Sequence, residues 1–157
     1  MGLPRAPPSK TARCVTYDRR GHGASSIPDG GYDADTLAAD LAALLDHLDL
    51  TGVTLVTHSM GSVEAVRYLA TRGSRRVDGV VMTDLRADFS AVDVPVTLIH
   101  GALDRSTPLD TCGIPAAELL PHGTLRVVEG AGHGVYITHR SEVVSALRLA
   151  AREVEPA

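Results

Sequence analysis

The chain has 157 residues, enough for one compact domain with a real core and too few to read as two. Its formal charge of −4, with seven histidines counted as neutral, offers neither a basic stripe for nucleic acid nor an acidic tail. The first ten residues carry no apolar leader core, no window approaches the ~18 apolar residues of a membrane span, and Cys14 and Cys112 stand too far apart for a ligand pattern. These exclusions leave a cytoplasmic protein acting on a small molecule, with no nucleic acid and no membrane as partner. One Phe, four Tyr and no Trp mean that Val, Leu, Ile and Ala must build the core.

In chain order, residues 1–11, with Pro4, Pro7 and Pro8, predict a disordered lead-in, and 12–157 a single domain. Residues 13–17 predict a short strand ending in a loop, 18–26, whose Gly21 and Gly23 permit turns closed to other residues. From an N-cap at Asp33 or Asp35, Leu37, Leu41, Leu44, Leu45 and Leu48 recur at helical spacing. Gly52 breaks this helix. The apolar run 53–56 then predicts a strand buried on both faces of a parallel sheet. A helix over 61–72 turns Val63, Val66 and Leu69 inward and is closed by Gly73.

Strands follow at 77–82 and 94–99, the latter with Pro95 near its start. Gly113 and Pro115 blemish the next helix, whose regular part is expected from Pro115. Residues 124–128 predict the last strand. Ser141 is placed to cap a final helix with Val144, Leu147 and Ala151 on one face. The alternation predicts an α/β domain, a mainly parallel sheet of about five strands flanked by helices.

Residues 55–62, Leu-Val-Thr-His-Ser-Met-Gly-Ser, carry the chemistry. An apolar strand ends, a hydroxyl follows and a helix begins, as in the nucleophile elbow G-x-S-x-G. Gly61 fits the second small position, while β-branched Thr57 stands where the first glycine belongs. Ligands of parallel sheets bind beyond the carboxyl ends of the strands, where Ser59, Asp104 and His133 each follow a predicted strand. Serine, acid, histidine is the order of a hydrolase triad on such a scaffold. Serine needs an imidazole to take its proton, and the imidazole needs a carboxylate to fix its tautomer. Taken singly, Asp104 equally suits capping Ser106 or Thr107, and His133 an exposed loop. His58 is expected to point away from the nucleophile, His22, His100 and His139 to be loop or cap residues, and Asp18, Arg19 and Arg20 to form a structural turn. Asp84 and Glu129 are substitute acids.

The segments Tyr17-Asp18-Arg19-Arg20-Gly21-His22-Gly23-Ala24-Ser25-Ser26, Ser59-Met60-Gly61, Arg86-Ala87-Asp88, His100-Gly101-Ala102-Leu103-Asp104-Arg105 and Glu129-Gly130-Ala131-Gly132-His133-Gly134 occur in that order. Together they resemble the cofactor-free bacterial haloperoxidases and perhydrolase-esterases of the α/β-hydrolase superfamily. The resemblance implies a metal-free and cofactor-free serine hydrolase forming an acyl-enzyme from a short ester or acid, with Ser59, Asp104 and His133 catalytic. Hydrogen peroxide can replace water in that family, giving a peracid that oxidises halide.

Two departures accompany it. Family members begin with further strands and a loop that supplies one of two oxyanion amides, whereas this sequence starts after that point and retains the backbone N–H of Met60. Losing one such donor typically costs on the order of a hundredfold to a thousandfold in turnover. Members also carry a helical cap, whereas here residue 82 runs to 94 almost directly. The expectation is a truncated α/β-hydrolase core without cap, its bare sheet edge a route to homo-oligomers. The alternatives are a weak or inactive remnant acting at most as a binding module, and a small ligand-binding domain.

Overall fold

Asp33 opens the first helix as the leucine spacing predicts: its carboxylate accepts from the Thr36 N–H at 2.9 Å and from the Thr36 hydroxyl at 2.8 Å. The helix α1, Ala34–His47, turns Leu37, Ala38, Leu41, Ala42 and Leu45 to the core. It belongs to the second of two compact units, Met1–Tyr32 and Asp33–Ala157, in the computed structural model, which describes residues 13–83, 89 and 92–153. The expected lead-in over 1–11 and the Arg86-Ala87-Asp88 segment lie outside the described residues.

In the first unit, residues 18–26 close a loop on themselves. Asp18 accepts from the Ala24 N–H at 2.9 Å, and the Gly21 N–H donates to the Ser26 carbonyl at 2.8 Å. This is the structural turn expected of Asp18. Gly23 sits at φ +52°, and a Cβ there would run into the Asp18 carboxylate, so the turn demands glycine. The strand predicted over 13–17 is not formed, and the described sheet has four strands rather than five. A strand exists through its ladder to a neighbour, and β-branched composition alone supplies none. Val15 and Tyr17 are exposed accordingly.

The second unit alternates strand and helix: β1 Val53–His58, α2 Met60–Arg72, β2 Val77–Thr83, β3 Val96–Gly101, α3 Ile114–Leu119, β4 Gly123–Val128, α4 Val135–Thr138 and α5 Arg140–Glu153. The strands lie in the order β1-β2-β3-β4, every pair parallel. β3 is buried throughout and β2 at all but one position, which is why both read as nearly continuous apolar runs. One face of the sheet packs Leu55, Val80, Met82 and Leu98 against α1, α2 and α3; the other packs Val81, Ile99 and Val128 against α4 and α5. Residues 84–95 lie between β2 and β3, and Phe89 and Val92 of this stretch are buried in the first cluster.

A π-helical turn, Leu109–Gly113, precedes α3, which starts at Ile114 with Pro115 in its first turn as expected; glycine at 113 is required because a Cβ there would lie 2.7 Å from Nδ1 of buried His100. α5 begins at Arg140, so Ser141 lies inside it and donates to Glu142 Oε2 at 2.7 Å instead of capping. Its buried face is Val143 and Ala146, with Leu147 and Ala150 packed beside them, displaced by one residue from the predicted stripe at 144. Among the described residues no helix is long and apolar enough to cross a membrane.

Candidate active site

The parallel sheet brings the ends of β1, β3 and β4 to one edge. β1 ends at His58, and Ser59 follows with φ +51° and ψ −123°, outside the conformations open to most residues. Such a residue costs about 1–3 kcal/mol and persists only where its surroundings determine it. Here the Ser59 N–H donates to the Thr83 carbonyl at 2.8 Å, extending the β1–β2 ladder by one bond, and the Ser59 carbonyl accepts from the Ser62 N–H at 3.0 Å. The Ser59 side chain makes no capping bond to α2, so the helix does not consume its hydroxyl. Met60, 60 % exposed, is the first residue of α2.

Thr57, the residue out of place in the elbow pattern, is accommodated by use of its hydroxyl. Its Oγ1 lies 2.7 Å from Oγ of Ser62, which is fully buried, so the pair ties β1 to α2 across the turn. A Cβ at position 61 would lie 3.7 Å from the Thr57 Cβ, an ordinary contact. The collision expected of a β-branched residue here does not occur.

Beyond β3, Asp104 is buried, and it caps Ser106 and Thr107 while also meeting His133. Oδ1 accepts from the N–H groups of Ser106 at 2.8 Å and Thr107 at 3.0 Å; Oδ2 accepts from the Thr107 hydroxyl at 2.9 Å and from His133 Nδ1 at 2.9 Å. A carboxylate only accepts, so Nδ1 of His133 carries the proton, and a neutral ring keeps its lone pair on Nε2. The two loops meet because Gly101 has no side chain: a Cβ there would lie 2.5 Å from the Ala131 carbonyl oxygen and 2.6 Å from that of Gly132. The Leu103 N–H uses this approach to donate to Ala131 O at 2.8 Å.

His58 carries more than the sequence indicated. Its Nε2 lies 3.2 Å from the His133 carbonyl oxygen, and its ring centroid is 5.1 Å from that of His133 and 4.5 Å from that of Tyr136. Burial holds its pKa below the ordinary histidine value, against the opposing pull of the hydrogen bond to the His133 carbonyl. Side-chain alternation could place His58 on the face opposite a neighbour, yet not what the β4 loop would lay against it. His100, expected in a loop or cap, is a fully buried residue of β3 whose Nε2–H donates to the Thr107 carbonyl at 2.7 Å; the strand runs two residues further than its apolar pattern. His139 follows α4 as its cap, and His22 lies in the 18–26 loop, both as expected. Of the substitute acids, Glu129 is exposed and Asp84 lies outside the described residues.

The structure thus joins Asp104 and His133 directly and sets Ser59 at the same sheet edge, linked to the His133 loop through His58. A serine on a strained strand-to-helix turn, at the sheet edge where a carboxylate holds a histidine, is the arrangement found in the α/β hydrolases. The model of the alpha/beta hydrolase fold family matches residues 1–93, and the chain belongs to that family.

Among curated relatives it is similar to the non-heme chloroperoxidase CPO-A1 of Kitasatospora aureofaciens, 26 % identical over 207 positions covering 78 % of this chain and 75 % of that one. The alignment is longer than this chain, so the relative carries residues between matched segments that are absent here. It is also similar to the bifunctional esterase/perhydrolase DCH of Acinetobacter calcoaceticus, 43 % identical over 58 residues, 37 % of this chain and 21 % of that one. Among solved structures, the bromoperoxidase from Bacillus anthracis superposes with a TM-score of 0.81 at 25 % identity, covering 87 % of this chain and 80 % of that one. The protein is an α/β-hydrolase enzyme, similar to non-heme haloperoxidases and esterases.

Proposed function

We propose that the protein hydrolyses short acyl esters through an acyl-enzyme on Ser59. The observation that carries this reading is the strained Ser59 backbone at the edge where Asp104 holds His133 Nδ1. In this mechanism Nε2 of His133 takes the Ser59 proton as Oγ attacks the ester carbonyl, and Asp104 stabilises the imidazolium that forms. The Met60 N–H, the first amide of α2, donates to the developing oxyanion, aided by the positive end of the helix dipole. Collapse returns the proton from His133 to the departing alcohol. Water, deprotonated by the same Nε2, then releases the acid and regenerates Ser59. Hydrogen peroxide in place of water would release a peracid, the side activity suggested by the esterase/perhydrolase relative.

The test is turnover of p-nitrophenyl acetate by the full chain against Ser59→Ala. The expected result is hydrolysis that the substitution reduces by at least about a thousandfold. Equal rates for both proteins would overturn the proposal and leave the chain as a remnant of a hydrolase.

A further inference from the structure

We infer that His58 is a positioning residue for His133, holding the loop that carries the general base against the turn that carries the nucleophile. The inference rests on the Ser59–His133 reading above and assigns a residue that reading does not use. Asp104 grips His133 by one edge of its ring, through Nδ1. The backbone around His133 runs through Gly130, Gly132 and Gly134, residues that restrict their own conformation least. His58 attaches the loop at a different point, through the backbone: its Nε2 meets the His133 carbonyl at 3.2 Å while its ring lies tilted against the His133 ring, with Tyr136 against it from α4. Two attachments fix an orientation where one fixes only a distance. Because His58 immediately precedes Ser59, the separation of base and nucleophile is set through a single residue.

The carbonyl only accepts, so His58 Nε2 carries a proton, and burial of the ring favours the neutral form with that single donor. The titratable groups that act on His58 among the described residues are His133 and Asp104 from the loops and Tyr136 from α4. A cation at His58 would oppose proton uptake by His133, so the neutral form is the one compatible with a general base beside it.

The test compares His58→Phe, which keeps an aromatic ring and removes the donor, with His58→Gln, which keeps a donor of similar reach. In p-nitrophenyl acetate hydrolysis, kcat is expected to fall about tenfold in His58→Phe, the effect of one lost hydrogen bond. KM stays within about twofold, and His58→Gln recovers kcat to within about threefold of wild type. Independently of turnover, the low-field proton NMR resonance of the His133 Nδ1–H bonded to Asp104 is expected to broaden in His58→Phe and sharpen again in His58→Gln. Should the Phe variant fail to fold, His58→Leu must show the same losses. Wild-type kcat together with an unchanged resonance in the donor-less variant would overturn the inference. A wild type without Ser59-dependent turnover would overturn the hydrolase reading instead, and the resonance would still decide the role of His58.

Discussion

The two halves of the site are built by different means. The half proposed for acid–base chemistry, beyond β3 and β4, is made by side chains: the buried Asp104 carboxylate accepts hydrogen bonds from Ser106, Thr107 and His133. The half proposed for the nucleophile, beyond β1, is set first by backbone: Ser59 is held at φ +51° by bonds through its own N–H and carbonyl, with the Thr57–Ser62 hydroxyl pair bracing the turn. The first half therefore depends on residue identity and the second on chain geometry. Substitutions should separate the two.

The largest effect is expected at Asp104. Asp104→Asn keeps an acceptor for Ser106 and Thr107 but presents an amide where His133 Nδ1–H needs an oxygen, which favours the wrong tautomer. Ester turnover should fall by roughly 10³–10⁴ with the fold retained, as read by kcat and circular dichroism. Next is Gly101→Ala, which drives a methyl into two backbone carbonyls that cannot swing aside. A loss of about 1–3 kcal/mol is expected in denaturant unfolding, with turnover reduced as the two loops separate.

A smaller effect follows from His58, which links the halves. Its folded pKa lies below the ordinary 6.5, so as pH falls through 6.5 the unfolded chain takes up a proton that the folded chain resists. Its contribution to stability is therefore complete above that pH and declines from 6.5 down to the lowered pKa. The midpoint of urea unfolding should drop over that interval in the wild type and less steeply in His58→Phe. The smallest effect is at the nucleophile half. Gly61→Ala meets Thr57 at an ordinary 3.7 Å and should change stability by less than about 0.5 kcal/mol in the same unfolding measurement, although it alters the elbow pattern itself.

This contrast also explains what could be read from the residues. β2 and β3 were legible because both their faces are buried, and α1 because Asp33 and five leucines agree on one register. Ser59, Asp104 and His133 were legible as residues of the right kind at strand ends, and the Asp104–His133 bond accords with that choice. The strand expected at 13–17 was not, since period and composition report a preference and never a neighbour. The role of Thr57 escaped because its fit depends on Ser62, five residues on, and the contacts of His58 because they come from a loop 75 residues away. α4, a single turn of four residues, was too short to carry a periodic signal.

The most direct test of the account is the position at which the protein reacts with a fluorophosphonate, an acyl-like probe that captures only an activated serine. Digestion and mass analysis of the labelled chain should place the adduct on Ser59 in the wild type, with labelling slowed at least about a hundredfold in Asp104→Asn. An adduct on any other residue, or none at Ser59 in folded protein, would contradict it.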